Sequence, residues 1–501
     1  MLISSSTMAI WRPMCSFLWS FVNGVDGTNS TALSRLGKCA KPRQNTPRTA
    51  SRGRRLTDRS QFVRPRHNLS LFVTTSPSLP CGLPACVGEM GGVAVTLLWA
   101  WPRLPFGAVS TGGRYCRSAA LVRACHSIRD RGSTMNDKIN VAIVFGGQSA
   151  EHKVSLQSAF NLIEVIDRSK YHPFLLGIDR AGVWFLYPDF YAVANRRQPV
   201  PRATKNGVRE VALVRKNGCV QVLDLDTFDG LGQVDVIMPV LHGPSGEDGC
   251  LQGLAQMLGV PCVGSGVLSS AVCMDKDICK RLLQHGGIEV ADYLVLDRDH
   301  NVGFDKLVRK LGSPLYVKPA NMGSSIGVSK VASPEALAAA LAMAFRYDSK
   351  VLVERAVQGR EIECAVIGND YPRVSKPGEV VVKYDYYSYT AKYLDSQGAE
   401  LKVPADLDDL TTKMIQELAA DVYTLLGCQG MARIDMFLTE ADEVIVNEVN
   451  TVPGFTHISM FPKLWQAGGM NGRELLDHLI LSAVDNYCSR EAMTVRLAGC
   501  Q

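Results

Sequence analysis

Past Met135 the chain alternates apolar runs with amphipathic stretches. "INVAIVFGG" (139–147) is apolar and β-branched and closes on Gly146 and Gly147. A short apolar run ended by glycine predicts a buried strand. "SAEHKVSLQSAFNLIEVID" then repeats apolar positions at helical spacing, with Ser149 as its expected N-cap. "FLLGID" and "VDVIMPVLHG" predict further buried strands. Strand, helix, strand order predicts a parallel sheet with crossover helices over residues 135–271.

The pattern then changes. "SPLYVKPANMGSSIGVSKV" reads as strand, Gly/Ser loop, strand; "SPEALAAALAMAF" as a helix opened by Ser333-Pro334; "KVLVERAV" as a strand. These fall in an expected central α+β unit, residues 272–356. From 357 to 490 the strands "EIECAVIG" and "GEVVVK" precede a Tyr-rich polar loop, "YDYYSYTAKYLDSQGAE", and a long helix over 406–426. A hairpin follows, "GMARIDMFLT" and "EVIVNEVN" around the turn "EADE". The fold class is α/β (α+β) in three domains, the last with a large antiparallel sheet. No internal repeat is visible.

Composition sets one region apart. Residues 1–134 carry 18 Lys and Arg against 4 Asp and Glu, net +14, whereas the other 367 residues are net −8. The segment is Arg-, Ser-, Pro- and Gly-rich, lacks sustained periodicity, and is expected to be irregular or disordered. Three readings stand: translation begins at Met135, the segment is a transit peptide, or it is a basic arm for nucleic acid. The abrupt onset of a strand after Met135 favours the first, and no nucleic-acid partner is expected. Its longest apolar stretch, "GGVAVTLLWAW", is about ten residues, too short to span a bilayer, so no membrane partner is expected. Cysteines past Met135, such as Cys250, Cys262, Cys364 and Cys428, show no CxxC spacing. They read as buried free thiols of a reducing cytoplasm.

Candidate chemistry sits at four places. Alternation puts Arg433, Asp435 and Phe437 on one face of the hairpin, and Val446, Glu448 and Asn450 on one face of its partner strand. Pairing about the turn sets Asp435 opposite Glu448 if no bulge intervenes. Two carboxylates and an amide oxygen there suit a hard cation, Mg²⁺ above all, shared with phosphates; a solvated strand face is the plain alternative. Lys318 and the loop after it suit phosphate oxygens, although neither G-x4-G-K-[ST] nor GxGxxG occurs, and an ordinary flexible hairpin reads equally well. Glu151 is expected in a helix's first turn, where the dipole favours a carboxylate anyway or where it binds a substrate ammonium. His242, in "LHGPSGEDG", is either a satisfied loop histidine or a phosphate contact.

Together the segments "VFGGQSAEHKVSLQSA", "HGPSGEDGCLQG", "CMDKDICKRLL", "VKPANMGSSIGVSKV", "GREIECAVIG", "GMARIDMFL" and "NEVNTVPGFTHISMFPKLW" resemble, in order and spacing, the D-alanine–D-alanine ligase family of the ATP-grasp superfamily. The resemblance covers about residues 138–488; residues 1–134 have no counterpart. It implies ATP-driven condensation of two D-alanines through an acyl phosphate, for peptidoglycan, in a cytoplasmic homodimer. D-Alanyl-D-lactate ligation and a non-catalytic nucleotide- or D-alanine-binding protein are the rivals.

The resemblance also implies roles. Asp435, Glu448 and Asn450 match ligands of Mg²⁺ (or Mn²⁺), two ions, and Arg433 the group that steadies the reacting carboxylate. Lys276 and Lys318 match phosphate lysines. Glu354 and Glu361 match adenine and ribose contacts, with the Val357 backbone beside the base. Glu151 matches the acid that binds the first D-alanine's ammonium, with Ser324 and Tyr393 as its hydrogen-bond partners and His242 nearby. Lys392 matches a lid lysine for the γ-phosphate. The Ser459 hydroxyl and the Met460 N–H match the site for the second carboxylate. Tyr387 and Tyr389 compete with Tyr393 as the ring that reaches Ser324.

Overall fold

The computed structural model describes residues 138–188, 207–299, 302–382 and 399–498, with Glu89–Met90 and Val93–Ala94. The chain divides into two compact units, Met1–Gly107 and Ala108–Gln501. In the first, Glu89–Met90 pairs antiparallel with Val93–Ala94. The remaining expectation for residues 1–134, the Tyr-rich segment 383–398, Lys392 and Tyr393 lie outside the described residues. No described helix is long and apolar enough to cross a membrane.

The second unit opens with β1 (Ile139–Gly146), α1 (His152–Val165), β2 (Tyr171–Ile178), β3 (Trp184–Tyr187), β4 (Arg209–Lys216), β5 (Cys219–Asp224), β6 (Gly230–Val234) and β7 (Val236–Pro239). They form one sheet in the order β6-β5-β4-β3-β2-β1-β7. Only β1 with β2 and β1 with β7 pair in parallel; the rest is antiparallel. The expected parallel sheet is therefore a mixed one. The reason is connection length: a parallel partner needs a crossover of a dozen residues, while two residues suffice for a hairpin. Asn217 and Gly218, at φ 54° and 83°, make such a two-residue turn between β4 and β5. Helix α1 starts after Glu151, two residues beyond the expected cap; Ser149 instead accepts from the Glu151 N–H at 3.2 Å.

Helices α2 (Cys250–Leu258), α3 (Val267–Met274) and α4 (Lys276–His285) lead to a four-stranded antiparallel sheet. It comprises β8 (Tyr293–Asp297), β9 (Leu315–Pro319), β10 (Ser329–Val331) and β11 (Lys350–Arg355), ordered β8-β11-β9-β10. α5 (Phe304–Leu311) and α6 (Pro334–Ala344) cover it, their Leu307, Leu311, Leu337 and Ala340 buried against Val317 and Val353. The expected cap at Ser333 accepts from the Ala336 N–H at 3.2 Å. Helix α4 lies within 272–356 in sequence, yet its Cys279 and Leu283 pack in the core of the last sheet.

That sheet contains β12 (Arg360–Gly368), β13 (Arg373–Val374), β14 (Gly378–Val382), β15 (Ala399–Lys402), β16 (Gly430–Leu438) and β17 (Val444–Asn450). The order is β15-β14-β12-β16-β17, with β13 on β12. α7 (Asp409–Leu425) backs one face, and α8 (Met460–Ala467) and α9 (Gly472–Ala498) join this sheet to β1 and α1 in one apolar core. The described cysteines are all free; Cys273, Cys279, Cys364 and Cys428 are buried, but Cys219, Cys262 and Cys488 are half-buried and Cys250, at the start of α2, is exposed, against expectation.

Candidate active site

The hairpin register sets the site. Asp435 on β16 lies opposite Glu448 on β17 and, on its other side, opposite Glu363 on β12. Three carboxylates thus stand in one row across three adjacent strands. The next row is Ala365, Arg433 and Asn450. Between Asp435 and Met436 the register slips, so Val446 pairs with Met436 and Asn447 is the extra residue. Val446 therefore belongs to the opposite face and is buried, a correction to the simple alternation. Asn447 is turned into the cleft, 3.4 Å from the Lys318 ammonium.

Like charges opposite one another across strands destabilise a sheet. The chain answers this itself. Arg433 donates from Nε and NH2 to the two Asp435 oxygens at 2.7 and 2.8 Å, and its Nε lies 2.9 Å from Glu363. Asn450 donates to Asp435 at 3.0 Å. The Lys276 ammonium donates to the Met322 carbonyl at 2.6 Å and lies 3.6 Å from Glu448. The carboxylate repulsion expected from the sequence is thus balanced by neighbouring cations before any ion enters.

A second charged cluster lies deeper. Glu354, at the end of β11, is 2% exposed and lies 2.7 Å from Lys280 and against Lys318. Burial alone would raise its pKa, but the two ammonium groups outweigh it and hold the carboxyl at about 2. Burial pushes Lys280 down. Lys318 is desolvated too, yet Glu354 keeps it above the ordinary lysine value. Glu354 is thus an ionised bridge between two lysines.

The other half of the cleft is built mainly by hydrogen bonds. Glu151 is 5% exposed at the head of α1. Ser324, held at φ 50° in the left-handed region, donates to its Oε1. Gly243 (φ 73°) closes over Glu151 so tightly that a Cβ would stand 2.6 Å from Oε2. Only glycine combines that φ with that approach. The His242 ring joins the Val452 carbonyl through Nδ1 and the Ser158 hydroxyl through Nε2, both at 3.2 Å. Ser158 also accepts from the Phe455 N–H at 3.2 Å. Ser459 accepts from the Thr456 N–H at 2.9 Å and stands at the N-cap position of α8 without a side-chain bond to the helix, whose first residue is Met460. Backbone N–H groups at such a helix start suit a carboxylate.

Two cavities collect these groups. One of about 460 Å³ is lined by Lys276, Lys318, Glu354, Val357, Glu361 and Asp435. The smaller, about 70 Å³, is lined by Glu151, His242, Ser324, Arg433, Asn450 and Ser459, with Met460. Glu363 and Glu448 line both. Apart from Lys392 and Tyr393, the structure brings every expected site residue to one of the two cavities. Glu363 and Asn447 also line the cavities, and Lys280 and Ser158 contact residues that do. Glu363 follows Glu361 at period two, and Lys280 follows Lys276 by four on a helix, so both were readable from spacing; the bulge at Asn447 left no signal.

No described group of three His, Cys, Asp or Glu is arranged to hold an ion alone. Asp435, Glu448 and the Asn450 amide are nonetheless all hard oxygens, on adjacent strands at the wall where the two cavities meet. That donor set fits Mg²⁺, which takes one or two carboxylates and completes its shell with water and phosphate.

Residues 140–265 match the family model for the D-ala D-ala ligase N-terminus, and residues 282–481 that for the C-terminus. D-alanine–D-alanine ligase A of Escherichia coli (strain K12) is 47% identical over 359 residues, spanning 71% of this chain and 99% of that protein. The solved D-alanine–D-alanine ligase from Coxiella burnetii superposes with TM-score 0.63 at 35% identity, covering 73% of this chain and 100% of that one. The Bacillus anthracis D-alanine–D-alanine ligase complexed with ATP gives 0.53 at 27%, covering 70% and 99%. Sequence and backbone agree along both halves of the cleft, and the chain belongs to the D-alanine–D-alanine ligase family.

Proposed function

We infer that the cleft joins two D-alanines at the expense of ATP, making the dipeptide for peptidoglycan, and that it does so through an acyl phosphate. The observation that carries this is the junction of a nucleotide-sized cavity, with Lys276 and Lys318 in its wall, and a small polar one along the row Glu363, Asp435 and Glu448. The names of the relatives favour this activity over D-alanyl-D-lactate ligation. An ATP complex of one relative supports the larger cavity as the nucleotide's.

A carboxylate is a poor electrophile, and two anions must meet for the γ-phosphoryl group to transfer. Positioned positive charge lowers that barrier. Lys276 and Lys318 take the nucleotide phosphates, with Glu354, Glu361 and the Val357 backbone on adenosine. Asp435, Glu448 and Asn450 would hold Mg²⁺ or Mn²⁺, two ions in the full reading, which would supply further charge neutralisation at the phosphates. Arg433 holds the first D-alanine's carboxylate and then the developing oxyanion. Glu151, fixed by Ser324 and beside His242, binds that substrate's ammonium. Ser459 and the Met460 N–H hold the second D-alanine's carboxylate, so that its unprotonated amine attacks the acyl carbon and phosphate leaves. By resemblance, Lys392 serves the γ-phosphate and Tyr393 is a partner of Ser324.

Free buried thiols and an ATP substrate support a cytoplasmic enzyme. The homodimer is proposed on the family resemblance alone. The test is D-alanine-dependent release of phosphate from ATP. Arg433→Ala should lower kcat by about 10²–10³-fold, roughly 3–4 kcal/mol, with the fold retained. Near-normal turnover in that variant removes the proposed role.

A further inference from the structure

Two carboxylates and an amide suffice for the cation reading, yet the sheet carries a third acid in the same row. Glu363 is 7% exposed, directly opposite Asp435, and borders both cavities. Its companion is Arg433, at 2.9 Å from Nε, and both Nε and NH2 of that arginine already donate to Asp435. Asp435 is therefore asked to do two things. It holds the guanidinium in the structure as it stands, and on the function proposed above it must turn its oxygens to a nucleotide-bound cation. A carboxylate with both oxygens committed to a guanidinium has little left for an ion. Releasing Arg433 outright would leave a buried cation without a partner, which is strongly unfavourable.

We propose that Glu363 is a positioning residue that keeps Arg433 anchored through Nε while Asp435 turns to the cation. The geometry suits this handover. Glu363 and Asp435 lie on neighbouring strands in register, so one guanidinium reaches both without moving its own backbone. Nε stands within reach of both carboxylates and donates its one proton to Asp435 Oδ1 here, so it serves as the pivot: that hydrogen bond passes to Glu363 Oε2, 2.9 Å away, while the NH2 contact is given up. The freed face of the guanidinium then points into the small cavity, where the reacting carboxylate is bound. The row of three acids becomes two ion ligands and one anchor.

The idea rests on Asp435 as a cation ligand, and the experiment separates the two. Equilibrium binding of ADP to the full chain is measured by calorimetry with and without Mn²⁺, for the parent chain, Glu363→Gln, Glu363→Ala and Glu363→Thr. The parent should bind ADP more tightly with Mn²⁺; no Mn²⁺ effect there overturns the cation reading itself. Given that effect, Glu363→Ala should weaken Mn²⁺-dependent binding about tenfold, the weight of one charge-assisted hydrogen bond, and leave Mn²⁺-free binding unchanged. Glu363→Gln keeps an acceptor oxygen for Nε and should stay within about twofold of the parent. If Gln falls as far as Ala, the residue acts by charge alone and the anchor is wrong. If Ala matches the parent, Glu363 has no part in the site. Glu363→Thr suits a strand but is too short to reach Nε, so it repeats the Ala arm should the alanine variant fail to fold.

Discussion

The two halves of the cleft are stabilised by opposite means. The nucleotide half is held by exchangeable charge: Lys280, Glu354 and Lys318 in one cluster, and Glu363, Asp435, Glu448 and Lys276 in another, closed by Arg433 at the wall it shares with the amino-acid half. The amino-acid half is held mainly by short-range hydrogen bonds among Ser149, Ser158, His242, Val452, Phe455 and Ser459. Charged partners can be traded for phosphate or a cation at small geometric penalty, because Coulomb attraction is weakly directional. Hydrogen bonds cannot be traded so freely, because they fix angle and distance. A half that must seat a triphosphate and release a diphosphate benefits from the first. A half that must distinguish a small amino acid's stereochemistry benefits from the second.

The comparison is broken most directly at Glu354. Glu354→Gln leaves Lys280 and Lys318 buried against each other and should lower unfolding free energy by about 3–5 kcal/mol in denaturant titration. Bound ATP should restore part of the loss, because phosphate replaces the missing anion beside Lys318. The pH dependence has a definite sign. The folded value, about 2, lies below the model-peptide 4.5. The stability this carboxylate contributes is thus complete above pH 4.5 and lost as pH falls toward 2. The Gln variant should show a shallower acid slope in that window. An unchanged slope means the lysines are compensated elsewhere.

Ser158→Ala sharpens the other side. It strands the Phe455 N–H and the His242 Nε2 in a buried place and should cost about 1–3 kcal/mol of stability. The kinetic signature should be local. The loop from Val452 to Met460 loosens, so KM for the second D-alanine should rise several-fold while KM for ATP holds. Equal rises in both would show that the two halves are not separable.

How far the sequence reached follows the same division. The strands β9 to β12, β14 and the hairpin, with α6, were readable because their apolar periods are strong and one start carries its cap at Ser333, and α7 because it is long; β8, α5, α8 and α9 were not read. The hairpin placed Asp435 opposite Glu448 because symmetric pairing about a turn needs only counting. The antiparallel extension β3 to β6 was missed, since its half-exposed strands such as Arg209–Lys216 alternate weakly. The bulge at Asn447 is a backbone event with no composition signal, and it inverted the face of Val446. Roles for Glu151, His242 and Ser459 came from resemblance; distance in sequence hides that Ser158 joins His242 to Phe455 across nearly three hundred residues.

The smallest effect tests whether the amino-acid half is purely neutral. His242 is its one buried group poised to gain charge. Burial opposes protonation, but Glu247, with an oxygen 3.9 Å from Nδ1, and then Glu151, outweigh it and raise the imidazole above its ordinary 6.5. A raised folded value means stability fully present below pH 6.5 and lost as pH climbs through the folded value. Glu247→Gln keeps an acceptor for the Gly243 N–H, which bonds Oε2 at 2.9 Å, and removes only the charge. The difference in unfolding free energy between parent and variant should be under about 1 kcal/mol, largest near pH 6 and shrinking toward pH 9. A difference that stays constant with pH would assign Glu247 to loop geometry alone. One that grows with pH would overturn the raised value for His242.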